Sequence, residues 1–139
     1  MNAPAPTAVR VMLVEDHEPL RRILVLALET FGYRVTDFGS GTAALAALEV
    51  GAETDLLLTD VRMPGSPNGL ELAEWVGVHR PGTRVLVQTG YSELPTGRFA
   101  VLRKPFTPDE LAAALAAVLA APPGAAAGPP AQSISWRAK

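Results

Sequence analysis

Asp55-Leu56-Leu57-Leu58-Thr59-Asp60-Val61-Arg62-Met63-Pro64-Gly65 is the stretch that decides how this chain folds. A short, wholly apolar run with no inside–outside alternation predicts a strand buried on both faces, as in a parallel sheet. It ends on a carboxylate, Asp60, and the Pro-Gly that follows marks a turn. Working outward, Val9–Val14 predicts a strand that delivers Glu15 and Asp16, Tyr33–Phe38 another, Thr83–Gln88 one that delivers Thr89, and Phe99–Arg103 one that delivers Lys104.

Helical patterns alternate with these strands. Pro19 opens a helix where a missing N–H costs nothing; its apolar stripe is Leu20, Ile23, Leu24, Ala27, Leu28 and Phe31, and Gly32 ends it. Thr42–Val50 is an Ala-rich helix closed by Gly51, and a third runs from about Leu70 to Val78 until Pro81-Gly82. Thr107 caps the last helix, with Pro108 at its first position and Asp109-Glu110 in its first turn, running to about Ala121. The alternation predicts an α/β, doubly wound, five-stranded parallel sheet. Only about ten residues, Thr89 to Arg98, join the last two strands, fewer than a helical crossover needs, so at most one helical turn is expected there, near Ser92–Leu94.

The expected organisation is a disordered leader over residues 1–8, one domain over 9–121, and a flexible Pro/Ala/Gly-rich tail over 122–139. With 139 residues, 48% of them hydrophobic and 19% charged, the chain suits a single globular core. Cysteine is absent, which excludes disulfides, zinc–thiolate sites and thiol catalysis. Net charge is −2 with no basic run, so neither nucleic acid nor an anionic membrane is an expected partner. No signal-peptide pattern opens the chain, and the apolar run Leu111–Ala121 is too short to span a bilayer. A cytoplasmic location is the expectation.

In an open α/β sheet, ligands bind beyond the carboxyl ends of the strands. Here those ends aim Glu15, Asp16, Asp60, the Thr89 hydroxyl and the Lys104 ammonium at one edge. Bare carboxylates do not gather freely: at about 4 Å and an effective dielectric near 20, each like-charged pair costs roughly 4 kcal/mol. Such a group holds protons or a cation, and an all-oxygen set suits Mg²⁺. A cation with a lysine and a hydroxyl suits a phosphoryl group, and a carboxylate attacking phosphorus gives an acyl phosphate. Two histidines carry blander readings: His17 lies in a polar loop among carboxylates with no kinase-type helix around it, and His79 is a solvated helix end. Trp75 reads as a partly exposed helix residue and not as a site.

Taken in order, Leu13-Val14-Glu15-Asp16, Leu58-Thr59-Asp60-Val61-Arg62-Met63-Pro64-Gly65, Gln88-Thr89-Gly90-Tyr91 and Lys104-Pro105-Phe106 resemble the receiver domains of two-component response regulators, over about residues 9–119. The resemblance implies the flavodoxin-like strand order 2-1-3-4-5, with the helix between the last two strands short or absent. It implies a phosphoacceptor, not an enzyme in the usual sense: Asp60 receives a phosphoryl group from a histidine kinase or histidine phosphotransfer protein. Mg²⁺ would be held by Asp16, Asp60 and the backbone carbonyl of Arg62, with Glu15 helping through a water. Thr89 and Lys104 would read the phosphoryl group, and the Lys104–Pro105 bond would be cis. The last helix's Ala-rich face, Ala112–Ala121, is a candidate homodimer surface.

Several departures from the family's pattern stand out. The acidic pair is Glu-Asp and not Asp-Asp, one extra residue precedes Gly69, and Val101 occupies a position where many receivers carry a rotating aromatic, so the aromatic switch is absent or another aromatic such as Tyr91 or Phe99 replaces it. Arg62 and Tyr91, at the two positions that flank an incoming water in receivers, are large and carry no carboxamide or carboxylate, which implies slow self-dephosphorylation. The chain fits a stand-alone regulator or a receiver of a hybrid kinase. The competing readings are an unphosphorylated pseudo-receiver, opposed by the intact acidic set; an Asp-nucleophile phosphohydrolase, which typically wants an acid where Arg62 stands; and a flavin-binding protein, whose phosphate Glu15-Asp16-His17-Glu18 would repel.

Overall fold

The fold is described from a computed structural model covering residues 8–90 and 98–123. The elements alternate in chain order: β1 (Arg10–Val14), α1 (Glu18–Thr30), β2 (Arg34–Phe38), α2 (Gly41–Glu49), β3 (Leu56–Asp60), α3 (Gly69–His79), β4 (Arg84–Thr89), β5 (Ala100–Arg103) and α4 (Pro108–Ala120). The five strands form one parallel sheet in the order β2-β1-β3-β4-β5. This is the order that the motifs implied, and each element lies within a residue or so of its expected bounds. The region expected to hold one helical turn, near Ser92–Leu94, lies outside the described residues, as do the leader before residue 8 and the tail beyond residue 123.

β3 is central, and every one of its residues is buried, which is why it opens on the unbroken apolar run Leu56-Leu57-Leu58. Successive side chains on a strand point to opposite faces. On one face Val11, Leu13, Leu56, Leu58, Leu86, Ala100 and Leu102 pack under α1 and α4 through Leu24, Leu28, Leu111 and Leu115. On the other, Met12, Val14 and Leu57 pack under α2 and α3 through Ala44, Leu48, Leu72 and Val76. Truncating a fully buried leucine such as Leu13 or Leu58 to alanine would cost about 2–5 kcal/mol.

Helix ends follow their sequence signals. Gly32, at φ +98°, ends α1, with Gly32 N–H donating to Glu29 and Tyr33 N–H to Leu28. Gly51, at φ +106°, ends α2 in the same way. Thr107 and Glu110 cap α4 reciprocally, and Asn68 and Glu71 do so for α3. Ile23, on the apolar stripe of α1, is 62% exposed, and Leu26 is 65% exposed; the buried row is Leu24 and Leu28. Residue 23 lies about 100° around the helix from residue 24, just beyond the contact with the sheet.

Candidate functional site

The face alternation decides what stands at the sheet's carboxyl edge. Glu15 follows Leu13, Asp60 follows Leu58, Gln88 follows Leu86 and Lys104 follows Leu102, each two residues on and so on the α1/α4 face. Val14 is in register with Thr59, and Asp60 with Gln88, so Glu15, Asp60 and Gln88 continue neighbouring rows across three strands. Three of the expected residues meet here: Glu15, Asp16 and Asp60 each offer a carboxylate oxygen, all within 4.8 Å of one another. Glu15 and Asp60 are buried, at 1% and 8% exposure, while Asp16 is exposed and open to an incoming ligand.

Lys104 meets the same group. Its Nζ lies 3.0 Å from Asp60 Oδ2 and 3.6 Å from Glu15 Oε1. The backbone aims it: Lys104 N–H donates to the Thr89 carbonyl at 2.7 Å, and the Lys104–Pro105 bond is cis, as the resemblance implied. Thr89 itself is buried at the end of β4. Arg62 stands two residues past Asp60, with its side chain exposed on the loop.

That loop is fixed at both ends. Val61 N–H donates to the Gln88 carbonyl at 3.0 Å, and Gly69 N–H to the Val61 carbonyl at 3.1 Å. Gly69 lies so close to the Asp60 carbonyl that a Cβ there would overlap it. In the middle, Thr42 Oγ1 donates to the Ser66 carbonyl at 3.0 Å, and the Ser66–Pro67 bond is also cis.

Glu15 carries the clearest electrostatic signature. Burial pushes its carboxyl above the usual range, the charges of Asp60 and Asp16 push the same way, and the His17 N–H and Lys104 oppose them. Three carboxylates against one ammonium leave excess negative charge in a half-dry pocket. An all-oxygen donor set with that excess fits a hard divalent cation such as Mg²⁺.

Sequence reading missed Gln88 as a member of the site. It is fully buried, and its Nε2 lies 3.4 Å from Glu15 Oε1. A glutamine closing the otherwise apolar run Val85-Leu86-Val87 was the available signal, because buried amides need partners. His17 takes part only through its backbone N–H, which donates to Glu15 Oε2 at 3.1 Å. His79 is exposed at the end of α3, as expected, with its ring stacked on Trp75 at 4.4 Å between centroids. Phe99 is buried beside Val61, Leu70, Ala73 and Val87, while Tyr91 lies outside the described residues.

Comparison with known proteins points to one family. The model of the response regulator receiver domain matches residues 11–116. The Brucella abortus response regulator receiver protein CpdR is 40% identical over 83 residues, spanning 60% of this chain and 68% of its own. The DNA-binding transcriptional regulator NtrC of Salmonella typhimurium is 36% identical over 110 residues, which is 74% of this chain but only 23% of NtrC. The B. abortus sensor kinase CckA is 36% identical over 73% of this chain and 12% of its own. Among solved structures, a response regulator receiver protein from Sinorhizobium medicae superposes with a TM-score of 0.75 at 27% identity, covering 84% of this chain and 98% of that one. Vibrio cholerae CheY4 superposes at 0.71, also at 27% identity, over 81% of this chain and all of its own.

Proposed function

The chain belongs to the response regulator receiver domain family, a signalling module of two-component systems, and on that premise we propose that Asp60 is its phosphoacceptor. The observation that carries this reading is the meeting of Glu15, Asp16 and Asp60 with the Lys104 ammonium 3.0 Å from Asp60. An Asp60 oxygen attacks the phosphorus of a phosphohistidine on a histidine kinase or phosphotransfer protein. The N–P bond breaks, its electron pair stays on the imidazole, and an acyl phosphate forms on Asp60.

The residues of the site divide the work. Asp16, Asp60 and the Arg62 carbonyl, with help from Glu15, would hold Mg²⁺, which would offset the charge of the phosphoryl oxygens. Lys104 turns from Asp60 to a phosphoryl oxygen, giving a point charge where negative charge has been added. The Thr89 hydroxyl donates to another phosphoryl oxygen. Because Lys104 N–H is bonded to the Thr89 carbonyl, a shift of either residue moves the ends of β4 and β5 together. That shared movement is how occupancy reaches a partner surface.

No helix among the described residues is long and apolar enough to cross a membrane. The chain spans about a quarter of NtrC and about an eighth of CckA, so the output it serves is that of a stand-alone regulator or of a larger protein containing it. The test is titration with beryllium fluoride, a phosphoryl mimic, with and without Mg²⁺, followed by amide NMR. Mg²⁺-dependent shifts at Asp60, Thr89 and Lys104, lost in Asp60→Asn, are expected. No response in the wild type would reassign the chain as an interaction module of the same fold that is never phosphorylated.

A further inference from the structure

The reading above uses Glu15 at the cation site but does not say what holds its carboxylate there. Oε2 accepts from the His17 N–H at 3.1 Å. Oε1 faces two donors, Lys104 Nζ at 3.6 Å and Gln88 Nε2 at 3.4 Å. Gln88 lies on β4, in register with Asp60 on β3, and Glu15 follows β1 on the far side of β3. The two side chains therefore meet across the strand that carries Asp60.

Packing gives no reason for an amide at this position. Gln88 is 0% exposed; on the α1/α4 face Leu86 precedes it along β4, and Asp60 and Leu102 stand in register on either side. Its Oε1 is buried without a hydrogen-bond partner among the described residues, so a methionine of similar volume would fill the space without desolvating an unmatched acceptor. What the amide offers is the hydrogen bond to Glu15.

The two donors on Glu15 Oε1 differ in charge, and that difference assigns their roles. Lys104 attracts the carboxylate but repels a cation, and in the proposed reaction it turns away to the phosphoryl group. Gln88 is neutral, so it can orient the carboxylate without opposing a cation, and it has no reason to leave when Asp60 is modified. Groups that hold a ligating side chain from behind commonly set metal affinity.

We propose that Gln88 is a positioning residue that holds the Glu15 carboxylate toward the divalent-cation site and thereby raises the affinity for Mg²⁺. The inference rests on the reading of Glu15, Asp16 and Asp60 as that site. It also makes β4 a link between the cation and the phosphoryl reader, because Gln88 and Thr89 are consecutive in one strand.

Isothermal titration with Mg²⁺ on wild type, Gln88→Met, Glu15→Gln and the double variant tests it, with urea unfolding in chelator on all four. Gln88→Met should weaken Mg²⁺ binding about tenfold, in the range of outer-shell effects. In the Glu15→Gln background the same change should alter affinity by less than about twofold, since the partner it acts through is gone. Its unfolding midpoint in chelator should be no lower than that of wild type. An equal loss of affinity in both backgrounds, no loss in either, or a lower midpoint or failure to fold would overturn the proposal. Wild type that does not bind Mg²⁺ would bring down the functional reading and this inference together, whereas normal wild-type binding with an additive cycle would bring down only the role of Gln88.

Discussion

Replacing Lys104 by methionine removes the charge but keeps an unbranched side chain. The ammonium lies 3.0 Å from Asp60 Oδ2 and 3.6 Å from Glu15 Oε1. At an effective dielectric near 20, each contact is worth roughly 5 kcal/mol of gross attraction. Dehydrating the lysine and ordering its side chain consume much of that, and breaking a largely buried pair leaves a net loss of about 2–4 kcal/mol. A divalent cation changes the balance: three carboxylate charges fall to one net negative, and Lys104's share falls toward a third, or about 1 kcal/mol. Lys104→Met should therefore be clearly less stable than wild type in chelator, nearly as stable in saturating Mg²⁺, and should bind Mg²⁺ more tightly. Urea unfolding under both conditions measures this. The same loss with and without Mg²⁺, or weaker Mg²⁺ binding in the variant, would refute the reasoning.

Gly69→Ala should destabilise the protein by about 1–3 kcal/mol or more in urea unfolding, because the new Cβ overlaps the Asp60 carbonyl and would lie 2.9 Å from Val61 Cα; unchanged stability would contradict the packing described. Hydrogen bonds from Arg10 hold the Asp55 carboxyl below its usual value of 3.8, so the stability it adds is present above that pH and lost as pH falls through its folded value; the gap between wild type and Asp55→Asn should close in acid. Glu15 has the opposite sign: raised above 4.5, it adds stability below that pH and loses it as pH rises through its folded value. In chelator, Glu15→Gln should thus match wild type in acid and exceed it near neutrality. An Arg62→Asn, Tyr91→Glu double variant should lose its phosphoryl group faster than wild type, and unchanged or slower decay would remove the shielding role assigned to those two side chains.

The sheet was legible because its signals are local. Leu56-Leu57-Leu58 has to be buried on both faces, and Asp60, Glu15-Asp16 and Lys104 each end or follow a strand, so their convergence needed only the parallel alternation. What escaped the sequence depends on neighbours far along the chain. Ile23 looks like core by helical period, but the sheet's contact with α1 ends one row short of it. Gln88 becomes part of the site only when β1, β3 and β4 are in register, which brings residues 15 and 88 together. The close approach of Gly69 to the Asp60 carbonyl depends on how the loop closes, and the cis Ser66–Pro67 bond had no sequence signal, unlike the one at Lys104–Pro105, which the resemblance supplied.

The central claim is that Asp60 accepts the phosphoryl group. Incubation with acetyl phosphate and Mg²⁺, followed by intact-mass analysis and hydroxylamine treatment, tests it most directly. Wild type should gain one phosphoryl group that survives acid and is released by hydroxylamine, as an acyl phosphate is, and Asp60→Asn should gain none. An Asp60→Asn protein that still acquires a hydroxylamine-labile phosphoryl group, or a wild type that acquires none under any donor and Mg²⁺ concentration, would contradict the account.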